Sequence, residues 1–303
     1  MEFLGRLHPC ASYVRYMAEK RINTLMRFKT PLRYPGGKGK LTGFFKEVLS
    51  ANDLKDATYI EPFAGGAGLA INLLLDGNVS DIVINDADRS IFAFWKCVTE
   101  DTDELVEMIK STDVNMSNWW YQHHIQKNKE SSSILDLGFS TFFLNRTNRS
   151  GILSGGVVGG RDQSGKYKMD ARYNKDGLIK RIQNISEHSD HITVLNYDAE
   201  DLLRDNLDDY DLSKTLIYID PPYFCKGACL YLNHYKPEDH ATLSETIREL
   251  KCKWILSYDD TPEIRRIYEG MNPLEFDMQY SSFESRIGKE VFYCSKNIDL
   301  PGM

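Results

Sequence analysis

Ala57-Thr58-Tyr59-Ile60-Glu61-Pro62-Phe63-Ala64-Gly65-Gly66-Ala67-Gly68-Leu69-Ala70-Ile71-Asn72-Leu73-Leu74-Leu75 decides the fold class. A short apolar run ends at a proline, gives way to a glycine-rich turn and continues as apolar residues at helical spacing, which predicts strand, turn and helix. The unit recurs. Asp81-Ile82-Val83-Ile84-Asn85-Asp86 reads as a second strand, and Arg89 to Val98 as a helix with Ile91, Phe92, Trp95 and Val98 on one face. Strands alternating with helices predict a parallel sheet. The alternation resumes at Ile192-Thr193-Val194-Leu195 and Thr215-Leu216-Ile217-Tyr218-Ile219, then a helix from His240 to Leu250 and the strand Trp254-Ile255-Leu256-Ser257. Leu274 to Gln279 and Val291 to Cys294 are the expected last strands, an antiparallel ending on a mostly parallel sheet. The expected class is therefore α/β, a doubly wound, Rossmann-like core.

Between these two runs lies something else. From Thr99 to His191 the pattern predicts helices, among them Asn118 to Asn128 and Ile134 to Asn145, then a loop through Gly155-Gly156-Val157-Val158-Gly159-Gly160. No structureless loop of that length belongs in a compact domain, so the interval is assigned to an inserted, mainly helical lobe. The expected division is an N-terminal extension (1–30), a core built from 31–98 and 192–303, and an insertion (99–191). The chain carries a formal charge of -7, yet nine basic residues stand against three acidic ones between Leu137 and Arg181. A basic stretch can be an ordinary solvated face. Here the interleaved aromatic, Asn and Gly residues point to nucleic acid.

With 303 residues, 42% hydrophobic and 27% charged, the chain has the balance of a soluble globular protein. It lacks an apolar run approaching the ~20 residues that cross a bilayer. Arg6, Arg15, Glu19, Lys20 and Arg21 argue against a signal peptide. Six scattered cysteines fit a reducing cytoplasm. Cys225, Cys229, His234 and His240 offer zinc ligands without the paired C-x-x-C spacing of zinc sites, and no metal is expected.

Ligands of open α/β sheets bind beyond the carboxyl ends of strands, where a glycine turn admits close approach and the next helix presents free N–H groups. Glu61, Pro62, Phe63, Gly65, Gly66 and Gly68 occupy such a place, although Ile71 stands where a dinucleotide fingerprint needs its third glycine. Asp86, ending the second strand, suits the two hydroxyls of a ribose. Either Asp86 or Asp88 can instead cap the helix that follows. Asp198 has two readings as well, a contact to the cofactor adenine or a simple cap.

Asp220-Pro221-Pro222-Tyr223 directly follows an apolar strand and carries the sharper chemistry. An aryl amine such as adenine N6 is a weak nucleophile, because its lone pair is delocalised into the ring. Accepting its hydrogens on the Asp220 carboxylate and the Pro221 carbonyl draws the nitrogen toward tetrahedral geometry and frees that pair. Successive prolines stiffen the turn and lack N–H groups. Tyr223 can stack on the base and favour a nearby sulfonium. The motif alone leaves base, nucleic-acid and protein acceptors open.

Together with Tyr34-Pro35-Gly36-Gly37-Lys38, Glu61 to Gly68, Asn85-Asp86 and Phe143-Leu144-Asn145-Arg146, this motif resembles the Dam-type (D12 class) adenine-N6 DNA methyltransferase family from Pro31 to Cys294. The resemblance implies S-adenosylmethionine as cofactor, held by Tyr34, Gly36, Gly37, Lys38, Asp86 and Asp220, with Asp220 also catalytic. Tyr34 replaces the Trp of some members and keeps an aromatic ring. Target recognition then falls in the insertion, where Asn145, Arg146, Asn148, Arg149 and Arg161 are expected to face double-stranded DNA. Arg suits guanine edges and Asn suits adenine, but either can simply hold phosphates. The adenine must be flipped out of the duplex, with Tyr223 stacking on it. Ser257 and Tyr258, ending another strand, are expected to line the target-base side, unless Tyr258 is core. A monomer with a cognate restriction endonuclease is the expected context. An RNA-adenine or DNA cytosine-N4 methyltransferase, and a non-catalytic cofactor-sensing DNA-binding module, are the alternatives.

Overall fold

The computed structural model describes residues 29–34, 36–224, 235–280 and 286–301, with backbone only at 276–280 and 286–289. Along the chain run α1 (Thr42–Ala51), β1 (Thr58–Glu61), α2 (Gly68–Leu75), β2 (Asp81–Asn85), α3 (Arg89–Glu100), α4 (Thr102–Ser111), α5 (Met116–Lys127), α6 (Ile134–Thr147) and α7 (Lys175–Ser186). Then follow β3 (Ile192–Leu195), α8 (Ala199–Asp205), β4 (Thr215–Ile219), α9 (Pro237–Glu249), β5 (Lys253–Asp259), α10 (Pro262–Ile267), β6 (Leu274–Tyr280) and β7 (Arg286–Cys294).

The strands form one sheet in the order β3-β2-β1-β4-β5-β7-β6. β1 pairs in parallel with β2 and β4, and β7 lies antiparallel between β5 and β6. Side chains alternate between two apolar layers, as a period of two requires. Tyr59, Ile84, Leu216 and Tyr218 face the layer containing Phe45 of α1 and Trp95 of α3. Ile60, Val83, Ile217 and Leu256 face Leu202 of α8, Leu243 of α9 and Ile264 of α10. The sheet is thus covered on both sides, which is why its central strands read as near-continuous apolar runs. Strand order reverses between β1 and β4, so the crevice for a ligand opens beyond their carboxyl ends. Both motif loops begin there.

Helices α4 to α7 fill the interval between α3 and β3 and share the apolar core of the sheet. Phe142 of α6 stacks on Phe94 of α3 with centroids 6.2 Å apart and planes 9° from parallel. Phe139, Phe143, Ile182 and Tyr173 belong to the same apolar cluster as Tyr59 and Ile84. Helix polarity explains the placement: α6 is buried nearly all round, including Gly138, whose Cβ would lie 2.5 Å from the Cys97 sulfur. Only a glycine lets α6 approach α3 so closely.

Candidate active site

The turn after β1 is gripped from several sides. Gly65 N–H donates to Asp86 Oδ2 (2.9 Å), Trp95 Nε1 donates to Gly65 O (2.9 Å), and Thr30 Oγ1 donates to Gly66 O (2.6 Å). Gly65 has φ +49°, and a Cβ there would lie 2.6 Å from the Tyr34 ring. Tyr34 is thereby laid against the turn, which brings the two expected cofactor loops together. Asn85, fully buried, donates to Pro62 O (2.9 Å) and Tyr197 O (3.1 Å) and accepts from Tyr197 N (2.9 Å). One amide thus fixes the ends of β1, β2 and β3 around the crevice.

Asp88 rather than Asp86 caps α3, accepting from Ser90 N at 3.0 Å. Asp86 is left at the rim of the crevice, its carboxyl pushed up to about 7 by burial, which the backbone N–H groups of Asp88 and Gly65 oppose. Asp198 is exposed and caps α8 through Glu200 N (2.9 Å). Glu61 is buried, accepts from Tyr59 OH and Ala70 N (both 3.1 Å), and is pushed up to about 8 by burial. Phe63 packs edge-on against Tyr235, with centroids 5.7 Å apart. These contacts make Glu61 a support of the turn.

At the end of β4 the Asp220 loop is held by polar contacts from Lys38 and from β5. Lys38 Nζ donates to Asp220 Oδ1 and Oδ2, both at 2.7 Å, and to Tyr223 OH at 2.8 Å. Its ammonium lies 5.0 Å from the Tyr223 ring centroid. Ser257 Oγ donates to Asp220 Oδ1 (2.6 Å), while Tyr218 OH is hydrogen-bonded to Ser257 (2.8 Å). Two residues on, Asp259 Oδ1 accepts from Phe224 N (3.0 Å). Ser257 and Asp259 share one face of β5 and clasp the loop at its start and end. Tyr258, between them, points the other way into the core, beside His240 and Tyr268. Burial raises the Asp220 carboxyl above the usual range and Glu290 adds to this, with Lys38 opposing both. Lys38 is thus directed at Asp220.

The insertion residues divide. Asn145 and Asn148, expected to face DNA, are buried instead. Asn145 accepts from Arg33 N and donates to Arg33 O (both 2.7 Å) and Gly151 O (2.9 Å), clamping the segment that leads to Tyr34. Asn148 accepts from Trp119 Nε1 (2.7 Å) and donates to Ile152 O and Leu153 O, so its amide is spent on shaping the loop. Arg146 is half-buried and donates to Arg172 O (2.8 Å) and Pro31 O (3.4 Å). Arg149 and Arg161 are exposed, the latter 5.2 Å over the Trp120 ring. Trp120 is itself 49% exposed.

Three functional contacts escaped the sequence reading: Asp259, Glu290 and the Asn145 clamp. Glu290 is fully buried on β7 and accepts the Tyr223 hydroxyl. Its signal was its period-two placement with Phe292, a core residue. Cys225, Cys229 and His234 lie outside the described residues. His240 is hydrogen-bonded to Tyr258 (2.8 Å) and held down at about 4 by burial. Among the described residues no three His, Cys, Asp or Glu side chains are grouped to hold a metal, and no helix is long and apolar enough to cross a membrane.

Residues 34–282 match the D12 class N6 adenine-specific DNA methyltransferase family. The chain is 26% identical over 270 residues to the type II methyltransferase M.MjaIII of Methanocaldococcus jannaschii, covering 82% of this chain and 90% of that protein. It is 22% identical over 268 residues to the type II methyltransferase M.CviBI of Paramecium bursaria Chlorella virus NC1A, covering 87% and 96%. Among solved structures it is similar to the rRNA methyltransferase AviRa of Streptomyces viridochromogenes, with TM-score 0.39, 11% identity and 87% of each chain covered.

Proposed function

The chain belongs to the D12 class N6 adenine-specific DNA methyltransferase family and is a DNA adenine methyltransferase; on that premise we propose that it uses S-adenosylmethionine and acts on an adenine flipped out of duplex DNA. The observation that carries this reading is the Asp220 carboxylate, fixed by Lys38 and Ser257 at the mouth of the β1–β4 crevice. The donor set suits the cofactor. Asp86 at the end of β2 matches a ribose, the Tyr34 ring over Gly65 a flat group, and the Asp220–Tyr223 corner a sulfonium. When bound, S-adenosylmethionine supplies an already activated methyl group.

What remains for the protein is alignment and electrostatics. Asp220 accepts the N6 hydrogens and takes up the proton that the amine sheds. Ser257 and Asp259 keep the loop from relaxing, so the carboxylate is aimed before substrate arrives. Tyr223 supplies an aromatic face for the extruded base.

We assign DNA contact to segment 99–191 together with the residues before Tyr34. Arg146 donates to the carbonyls of Arg172 and Pro31 and Arg181 to that of Thr30, Arg33 and Arg172 add their charge close by, and among the described residues none of the four pairs with an acid. Such a cluster calls for an external polyanion. Arg149, Arg161 and Trp120 extend the face. The type II relatives support a partner nuclease, and the scattered cysteines support a reducing, cytoplasmic setting.

Labelled methyl transfer to duplex DNA, RNA and adenine-free duplex, with the product base identified, tests the reading. Label in N6-methyladenine of duplex DNA alone is expected. Preferential labelling of RNA, or of cytosine in the adenine-free duplex, contradicts it.

A further inference from the structure

β7 delivers to the site a carboxylate that the chemistry above does not use. Glu290 faces Asp259 on β5 and Phe276 on β6, and it is fully buried. A buried carboxylate is costly unless compensated. Glu290 accepts the Tyr223 hydroxyl, and its Oε1 lies 3.9 Å from Lys38 Nζ. Lys38 in turn spends its hydrogens on both Asp220 oxygens and on Tyr223. Among the described residues, Lys38 is the cation within 4 Å of both acids.

One ammonium is therefore divided between two carboxylates through a continuous chain, Asp220–Lys38–Tyr223–Glu290. Facing Lys38 alone, Asp220 would form a balanced pair and would be a weak acceptor for the N6 hydrogens. A second carboxylate behind Tyr223 alters that balance. We propose that Glu290 is a positioning residue for methyl transfer: it draws the Lys38 ammonium toward Tyr223 and leaves negative charge at Asp220, which favours a sulfonium over a thioether.

The inference rests on S-adenosylmethionine being the cofactor. Its product, S-adenosylhomocysteine, differs in the reacting region by one methyl group and one positive charge, so the pair reads charge nearly independently of shape. Glu290→Gln keeps the volume and an acceptor for the Tyr223 hydroxyl while removing the charge.

Calorimetric titration of wild type and E290Q with each ligand is the test. The expected result is about a tenfold fall in affinity for S-adenosylmethionine with S-adenosylhomocysteine changed less than about twofold, an effect sized for charges several ångströms apart in a partly buried site. kcat should fall with KM for DNA unchanged. Equal weakening of both ligands, or no change in either, overturns the proposal. If E290Q does not fold, E290D and Y223F decide: E290D keeps the charge and should keep the wild-type ratio, whereas Y223F breaks the chain between Lys38 and Glu290 and should move the ratio toward that expected of E290Q; a lost ratio in E290D, or an unchanged ratio in Y223F, overturns it. Wild type that binds neither ligand would instead refute the cofactor reading.

Discussion

Arg172→Gln is expected to weaken DNA binding through a salt-dependent contribution while leaving the fold as stable as before. Arg172 is exposed, and the atom that holds its neighbour is its backbone oxygen, which accepts from Arg146 Nε at 2.8 Å and survives the substitution. Its guanidinium presses on the others. Burial brings the Arg146 pKa down to about 10, helped by Arg33, Arg181 and Arg172, and Arg33 is lowered by burial and by Arg172. Guanidinium groups crowded in this way repel one another, and an external anion between them would relieve that repulsion. If that anion is a DNA phosphate, each contact contributes about 0.9 to the slope of log K against log salt. Removing one should reduce the slope by about 0.9, so a fourfold rise in salt costs the variant about 3.5-fold less affinity than it costs wild type. Fluorescence anisotropy on a methylatable and an adenine-free duplex, at four salt concentrations, measures the slopes. Phosphate contact predicts the same reduction on both duplexes and a melting temperature no lower than wild type. An unchanged slope refutes the assignment, and a loss confined to the methylatable duplex would make Arg172 a base reader.

Two further substitutions probe supports of the site. Asn145→Ala strips partners from both backbone groups of Arg33 and from Gly151 O; a loss of roughly 2–4 kcal/mol is expected in urea unfolding, and an unchanged midpoint with impaired DNA binding would return Asn145 to the DNA face. Glu61 holds its proton to about pH 8 when folded, against an ordinary value of 4.5. The folded state therefore binds more protons than the unfolded chain across that window, and stability must fall as pH rises through it. Glu61→Gln, which keeps the contacts to Tyr59 and Ala70, should gain on wild type from pH 5 to pH 8 by on the order of a few kcal/mol. A stability difference independent of pH would show that Glu61 is not the titrating group.

Much of the fold could be read because its signals are local. β3 and β4 begin and end where their apolar runs do, and the turn at Gly65 is written in consecutive residues. The Asp220 loop was legible for the same reason. Side-chain destinations were not. Asn145 and Asn148 carry the residue type that reads adenine, but an amide matches a peptide group just as well, and only the approach of residue 33 to α6 decides between them. Gly65 looks like a simple turn glycine until Tyr34, thirty-one positions earlier, is laid across it. Glu290 sits at the edge of a polar stretch and becomes a buried acid only because β7 inserts between β5 and β6. The helices between β2 and β3 were visible in the interrupted alternation, whereas their merger with the sheet's core depends on Gly138 meeting Cys97, a contact between helices.

The central claim is that Asp220 activates adenine N6, and product analysis of wild type beside Asp220→Ala tests it most directly. Both proteins are expressed in a bacterium lacking adenine methylation, and N6-methyladenine in total DNA is quantified by mass spectrometry. The same preparations are checked for melting temperature and S-adenosylmethionine binding. N6-methyladenine is expected with wild type, and with a folded, cofactor-binding Asp220→Ala a reduction of about 10³-fold or more, the scale of losing a preorganised electrostatic contact in a closed site. Turnover by that variant within tenfold of wild type would contradict the account.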